Sequence, residues 1–298
     1  MAIFETVSRA KSKARIAMTG PSGAGKTLSA LYLAYGLAGD WSKVALIDTE
    51  HERGRFYADR SDLGTGAFLY AALTPPYSPE KYIDYVRSAA QAVGDGGVVI
   101  VDSFSHAWDN EGGVLDIKSE IAKRQGKNDY TAWDEAGKIQ NALVNALLSV
   151  PCHTIITMRT KMAYAMEIND KGKTVPVKIG LAPVQRDSVE YEFDICLQIN
   201  REHIACASKD TTFLDSWRGV ITPELGQQLN EFLCQGEEPP RCTDCGAVIM
   251  SDGKRTVKQI IDGSTKYYGR ALCMKCAKRA ADAAKEASAD AETPPVSE

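Results

Sequence analysis

The chain has 298 residues, 44% of them apolar and 25% charged, a composition that excludes wholesale disorder and fibrous structure. That length suits one large or two unequal domains, with enough chain to bury a core. The net charge of −4 gives no overall pull toward nucleic acid, so such binding would have to come from local patches.

In chain order, residues 1–14 mix charged and apolar groups and read as a surface arm. Lys11, Lys13 and Arg15 come too early for a secretory signal core, and the aliphatic run Val98-Val99-Ile100-Val101 is far short of a membrane span. The expectation is a cytoplasmic protein with no membrane partner. From Arg15 onward, short apolar runs alternate with longer helical periods. Strands are predicted at 15–19, 44–48, 68–72, 98–101, 154–157 and 194–199, and helices at 26–37, 79–92, 131–149 and 223–234. This alternation predicts an α/β fold with a mostly parallel sheet covered by helices. Two short runs at 203–208 and 212–214 predict an antiparallel edge. The core is expected over 15–236. A linker at 237–240 (Glu-Glu-Pro-Pro), a small module at 241–279 and an acidic, partly disordered tail at 280–298 follow.

Gly20-Pro21-Ser22-Gly23-Ala24-Gly25-Lys26-Thr27 fits GxxxxGK[ST] between a predicted strand and a predicted helix, the context this pattern needs. Glycines let the backbone curl so that N–H groups face phosphate oxygens, and the next helix adds the positive end of its dipole. The prediction is an ATP site in which Lys26 reaches the β- and γ-phosphates and Thr27 offers its hydroxyl to Mg2+. Residues 97–103 form a second apolar strand ending in Asp102-Ser103. Asp102 is the candidate acidic Mg2+ ligand, because ligands collect at the carboxyl ends of parallel strands. Asp48-Thr49-Glu50-His51 ends another strand. Glu50 is the candidate for polarising an attacking water, and Asp48 for supporting that water or the metal.

An Asp-x-Glu-His after the phosphate-loop helix, then a strand ending in Asp-Ser, resembles the RecA-type recombinase ATPases over roughly residues 15–233. The resemblance implies a RecA-like P-loop fold, ATP hydrolysis with Glu50 as the catalytic carboxylate, and a homo-oligomeric ring or filament. It also implies a polar sensor followed by a DNA-binding loop. Thr154-Ile155-Ile156-Thr157-Met158-Arg159-Thr160-Lys161 stands at that place, with Thr157 or Arg159 where the family has a glutamine. A basic residue reaching a neighbour's γ-phosphate would be Lys209, in Ala207-Ser208-Lys209-Asp210-Thr211. In compactness, and in Ser188-Val189-Glu190-Tyr191-Glu192-Phe193-Asp194, the chain is similar to phage-encoded RecA-like ATPases, which include single-strand annealing proteins. That likeness implies the cytoplasm of a bacterial host.

Between 159 and 190, Arg159, Lys161, Lys171, Lys173, Lys178 and Arg186 outnumber Glu167, Asp170, Asp187 and Glu190. These six cations are the candidate contacts to single-stranded DNA. Tyr164 and Met166 are candidates for stacking on bases, and 169–173 reads as a turn or hairpin tip. A further basic segment at 105–130 carries Lys118, Lys123, Arg124 and Lys127.

Of eight cysteines, Cys152, Cys196, Cys206 and Cys234 stand singly, whereas Cys242, Cys245, Cys273 and Cys276 form two CxxC pairs 27 residues apart. Two such turns supply a tetrahedral thiolate shell for Zn2+. The β-prone runs 256–261 and 266–268, around Asp262-Gly263, predict a zinc ribbon. Residues 241–279 hold nine basic and three acidic side chains, and the tail reverses that balance with one lysine and five acids. Such a module suits DNA or a protein partner.

Two function classes fit. One is an ATPase acting on single-stranded DNA in annealing, recombination or replication, with a single-strand DNA-binding protein as a candidate partner. The other is a nucleotide-switched protein that recruits replication partners through its zinc module; a helicase or helicase loader is a third reading. A small-molecule kinase fits less well, since no acceptor lid is evident and a kinase needs no water-directing glutamate.

Overall fold

A computed structural model describes residue 4 and residues 6–125, 129–168 and 174–291. It divides into two compact units, Lys13–Leu233 and the pair Met1–Ser12 with Cys234–Glu298. The hairpin tip with Lys171 and Lys173, Lys127, and the end of the acidic tail lie outside the described residues.

The first unit is built on β1 (Arg15–Gly20), β2 (Val44–Asp48), β3 (Leu69–Ala72), β4 (Val98–Asp102), β5 (His153–Ile168), β6 (Thr174–Pro183), β7 (Ile195–Ile199), β8 (Ala205–Lys209) and β9 (Arg218–Gly219). The sheet order is β3-β2-β4-β5-β1-β7-β8-β9, with β6 pairing to β5. β3, β2, β4, β5, β1 and β7 run parallel, and β8 and β9 add an antiparallel edge. The phosphate-loop strand therefore lies between β5 and β7 in the sheet.

The helices are α1 (Lys26–Ala38), α2 (Pro79–Val93), α3 (His106–Asp109), α4 (Val114–Gln125), α5 (Asp129–Ser149) and α6 (Pro223–Leu233). Central strands read as unbroken apolar runs because both their faces are covered. Val44, Leu46, Val98, Ile100 and Ile155 pack with Leu31 and Leu33 of α1 and Leu225 and Leu229 of α6. The alternating residues Ala45, Ile47, Val99, Val101 and Ile156 pack with Tyr82 and Val86 of α2 and Leu143 and Leu147 of α5. The period of two thus sends successive side chains into opposite helical layers.

Three segments depart from the sequence reading. β5 runs well past 157: Gly20↔Arg159 is its last pair with β1, and from Thr160↔Pro183 it pairs antiparallel with β6. Met162, Met166 and Leu181 stay exposed there, so the strand adds no buried run to the sheet core. At the sheet edge, residues 212–214 form no strand. The Asp210 carboxylate accepts from Thr212 Oγ1 and the Leu214 N–H, turning the chain, and Arg218–Gly219 pairs instead. Among the described residues, most of the basic segment 105–130 is helical rather than an open loop, in α3, α4 and the start of α5. Trp108, Val114 and Ile121 join Ala132 and Ala136 in a small cluster, the Lys118 ammonium lies 4.9 Å from the Trp133 ring centroid, and Arg124 pairs with Glu120.

In the second unit Ala10 and Glu237 form a parallel bridge. The Lys11 N–H donates to the Glu237 carbonyl, and the Glu237 N–H to the Arg9 carbonyl. The arm and the expected linker are thus hydrogen-bonded to each other. Beyond them α7 (Val257–Tyr268) and α8 (Met274–Ala291) replace the predicted ribbon hairpin. Local β propensity lost to a capping box, in which the Thr256 side chain accepts from the Gln259 N–H and Gln259 accepts from the Thr256 N–H. Val257, Ile260, Ile261 and Tyr268 then supply an apolar helical stripe. Among the described residues no helix is long and apolar enough to cross a membrane.

Candidate nucleotide site and cysteine cluster

The loop from Gly20 to Gly25 joins β1 to α1 at the carboxyl edge of the sheet. Gly23 and Gly25 sit at φ +80° and +81°, the left-handed region that glycine reaches without strain. A Cβ on Gly25 would stand 2.9 Å from His203 Nδ1, and one on Gly20 would stand 2.5 Å from the Ile199 carbonyl oxygen. His203 Nδ1 lies 3.0 Å from the Ala24 carbonyl, and the Asn200 side chain accepts from the Ile204 N–H. The connection from β7 to β8 thus props the phosphate loop from behind. This backbone cradle, which side chains would fill, fits a row of phosphate oxygens.

A cavity of about 650 Å3 opens over the loop, with Lys26, Thr27, Glu50, Asp102 and Arg159 among its walls. Lys26 Nζ donates to the Gly20 and Pro21 carbonyls at 2.9 and 3.1 Å. Burial lowers its pKa against the pull of Asp102 and Glu50. Thr27 Oγ1 donates to Asp102 Oδ2 at 2.5 Å, and the Thr157 hydroxyl donates to Asp102 Oδ1. Burial raises the Asp102 carboxyl, opposed by those two hydroxyls. A buried carboxylate beside a threonine hydroxyl fits a hard divalent cation bound through oxygen.

Glu50 stands across the cavity in the fork of Arg159. Nε donates to Oε1 at 2.9 Å and one terminal nitrogen to Oε2 at 2.6 Å. Burial would raise the Glu50 carboxyl, but Arg159, His106 and Lys26 outweigh it and hold it below the usual range. His106 is buried beside it, with Nε2 3.9 Å from Glu50 Oε1 and Nδ1 2.7 Å from Thr49 Oγ1. Burial foremost, then Arg159, keeps the His106 ring toward neutral.

Several predicted residues are placed elsewhere. Asp48 is buried beneath the loop that carries Glu50. Its oxygens accept from the Glu50 N–H (2.6 Å), the Gly54 N–H (2.7 Å) and the Tyr70 hydroxyl (3.0 Å), so it shapes that loop rather than facing the cavity. Ser103 is fully buried, its backbone tied to Thr49 and Tyr82. Thr157 is also fully buried and holds Asp102. Lys209 pairs with Cys196 near the start of β7, the edge opposite the phosphate loop, and donates to the Tyr191 carbonyl at 2.6 Å. Of the expected DNA contacts, Arg159 belongs to the nucleotide cavity, Lys161 and Lys178 are exposed on the hairpin, and Arg186 donates to Asn141. Sequence reasoning missed His203, His106 and the cavity residues Arg53, Phe56 and Tyr57. No local pattern marks the two histidines; Arg53 and Phe56 lie three and six residues beyond Glu50, close enough to have been suspected.

Residues 12–225 match a protein family described as an AAA domain. The chain belongs to this family of P-loop ATPases. With the match spanning both the phosphate loop and the Asp102 strand, the AAA domain is an ATP-binding and ATP-hydrolysing unit. A comparison with curated proteins finds no match. Among solved structures, the chain is similar to an ATPase from the type III secretion system of pathogenic bacteria, at 14% identity and a TM-score of 0.35. The similar region covers 63% of this chain and 51% of that one, so the chain spans about half that ATPase's length.

The cysteine cluster lies beyond the matched AAA domain. The ligand atoms of Cys242, Cys245, Cys273 and Cys276 lie within 4.8 Å of one another. Burial opposes charge on Cys242, but backbone N–H groups of Cys273, Cys245 and Asp244 hold its thiol down to about 6. Four convergent sulfurs, one already favoured as thiolate, fit a structural zinc ion. Gly246, at φ +70°, closes the first turn by donating to the Cys242 carbonyl at 2.8 Å. The second pair opens α8, and Arg270 pairs with Asp244 across the two turns.

Proposed function

We propose that this AAA-domain protein hydrolyses ATP while engaging single-stranded DNA through the β5–β6 hairpin, and that it works as a homo-oligomer in recombination, annealing or replication. The observation that carries the reading is continuity. The hairpin springs from the residue that closes the nucleotide cavity, and it presents Lys161, Lys178 and the exposed Met166. A basic track along the backbone is the usual platform for single strands, and Met166 adds an apolar contact for a base.

In the proposed reaction the phosphate loop and Lys26 cradle the phosphates. Thr27 and Asp102 would hold Mg2+, which when bound supplies positive charge to the β- and γ-oxygens. Glu50 orients a water in line with the γ-phosphorus and takes its proton as the new P–O bond forms. The bond from γ-phosphorus to the bridging oxygen breaks, and ADP and inorganic phosphate leave. The four cysteines would hold zinc in a structural role.

The test is steady-state phosphate release with and without single-stranded oligonucleotide, for the wild type and Lys26→Ala. The expected result is DNA-stimulated hydrolysis that falls by roughly a hundredfold or more in Lys26→Ala. Hydrolysis indifferent to DNA would remove the hairpin reading and favour a nucleotide-switched recruitment protein.

A further inference from the structure

We propose that Arg159 is a brake on hydrolysis: its guanidinium fork occupies both oxygens of Glu50, and a shift of the β5–β6 hairpin base lifts it away. This rests on Glu50 being the water-polarising carboxylate. To polarise water, a carboxylate needs a free lone pair aimed at the water. Here both oxygens accept from one guanidinium, at 2.9 and 2.6 Å. Bidentate Arg–carboxylate pairs are strong and directional, and they draw electron density from the oxygens that would take the proton. The arrangement observed is therefore a poor base in a well-built site.

The placement of Arg159 makes it a lever. Its backbone is the last rung of the parallel sheet, opposite Gly20, and the next residue begins the hairpin opposite Pro183. Its N–H donates to Ser105 Oγ at 2.9 Å, and its carbonyl accepts from Val184 N–H, on the returning side of the hairpin, at 2.7 Å. A movement of the returning strand therefore acts on the Arg159 peptide directly. The side chain is half-exposed, whereas Glu50 is mostly covered, so the guanidinium has solvent to move into. Thr160, on the same cavity wall, buries its Oγ1 without a partner. A buried hydroxyl left unpaired is a cost of this arrangement that a different hairpin position can relieve.

The test uses the full-length protein with Mg-ATP and no DNA. Arg159→Gln is expected to raise kcat by roughly tenfold, the rate equivalent of freeing Glu50 from one charge-assisted contact, with KM little changed. Arg159→Lys keeps the charge but loses the fork, so its kcat should fall between those two. A merely structural arginine would not give a faster enzyme when removed. Glu50→Gln, alone and combined with Arg159→Gln, separates the two claims. If Glu50→Gln still hydrolyses ATP normally, the role of Glu50 fails. If Glu50→Gln is inactive while Arg159→Gln and Arg159→Lys are no faster than wild type, the brake is overturned and Arg159 is instead a group that assists the reaction. Binding of a fluorescent ATP analogue checks that each variant retains its site. Should Arg159→Gln fail to bind it, the Arg159→Lys rate alone decides, faster supporting the brake and equal or slower refuting it.

Discussion

The ATPase unit and the C-terminal unit are held together by different physics. Around the parallel sheet, two large apolar clusters fill both helical layers, with Ile16, Leu31, Leu46, Ile100 and Tyr82 wholly or almost wholly buried. In the C-terminal cluster the buried side chains among the described residues are Cys242, Ile249, Ile260, Leu272 and Cys276, two of them candidate metal ligands. The first unit has area enough for a core of its own. For the second, five buried side chains are few, and we propose that ligation supplies what area does not.

The largest expected effect breaks that contrast. Stripping zinc should expose Lys258, Lys266 and Arg270 to trypsin while residues 13–233 stay intact, since structural zinc supplies about 10–16 kcal/mol in small domains. Atomic absorption should count one zinc per chain. Protection that survives complete metal removal would show that the small apolar cluster is enough. In the other unit, Leu31→Ala should cost about 3 kcal/mol by leaving a cavity under the sheet. Urea unfolding followed by tryptophan fluorescence reports on that unit, because Trp41, Trp108, Trp133 and Trp217 all lie within it.

A smaller effect is acid sensitivity of the core. His153 is buried and accepts from the Ala14 N–H, and burial pushes its pKa down to about 3. Its neutral ring contributes stability that is fully present above the unfolded value near 6.5 and is lost as pH falls from there toward 3. Between pH 7 and 5 the loss should be about 2 kcal/mol. His153→Asn keeps an acceptor but titrates nothing, so its urea midpoint should fall less over the same interval; equal losses would remove His153 as the cause. The smallest effect sharpens the comparison from the zinc side. Thr256→Ala removes the α7 cap and should cost about 1 kcal/mol, read by faster amide exchange in α7 of the metal-loaded protein.

The nucleotide site was largely legible because its chemistry is local: a glycine-rich loop between strand and helix, and carboxylates closing apolar runs. What stayed hidden depends on partners far apart in the chain. Arg159 reads as one of two candidates for a polar sensor and as a cation beside Lys161, and only the folded sheet brings it to Glu50, 109 residues away. Asp48 reads as a support for the water or the metal, and only the fold shows three donors on its oxygens. Lys209 reads as a finger for a neighbour's site, and the register of β8 shows only that it stands at the edge away from this chain's own phosphate loop. The strands flanking the expected hairpin tip were missed because their exposed methionines give no buried run, and the α7 helix because β-branched residues concealed a capping box.

The prop behind the phosphate loop bears on the order of synthesis. Gly20 to Thr27 leaves the ribosome early, yet His203, which props the loop, and β7, which flanks its strand, emerge some 180 residues later. A nascent chain carries the full ATP-binding sequence long before it carries an ATP-binding surface. Because a ligand stabilises only the state that binds it, ATP acts on this chain as an inspection of finished product. A fragment ending before β7 would lack the strand beside β1 and the His203 prop, and should gain little protection from the nucleotide.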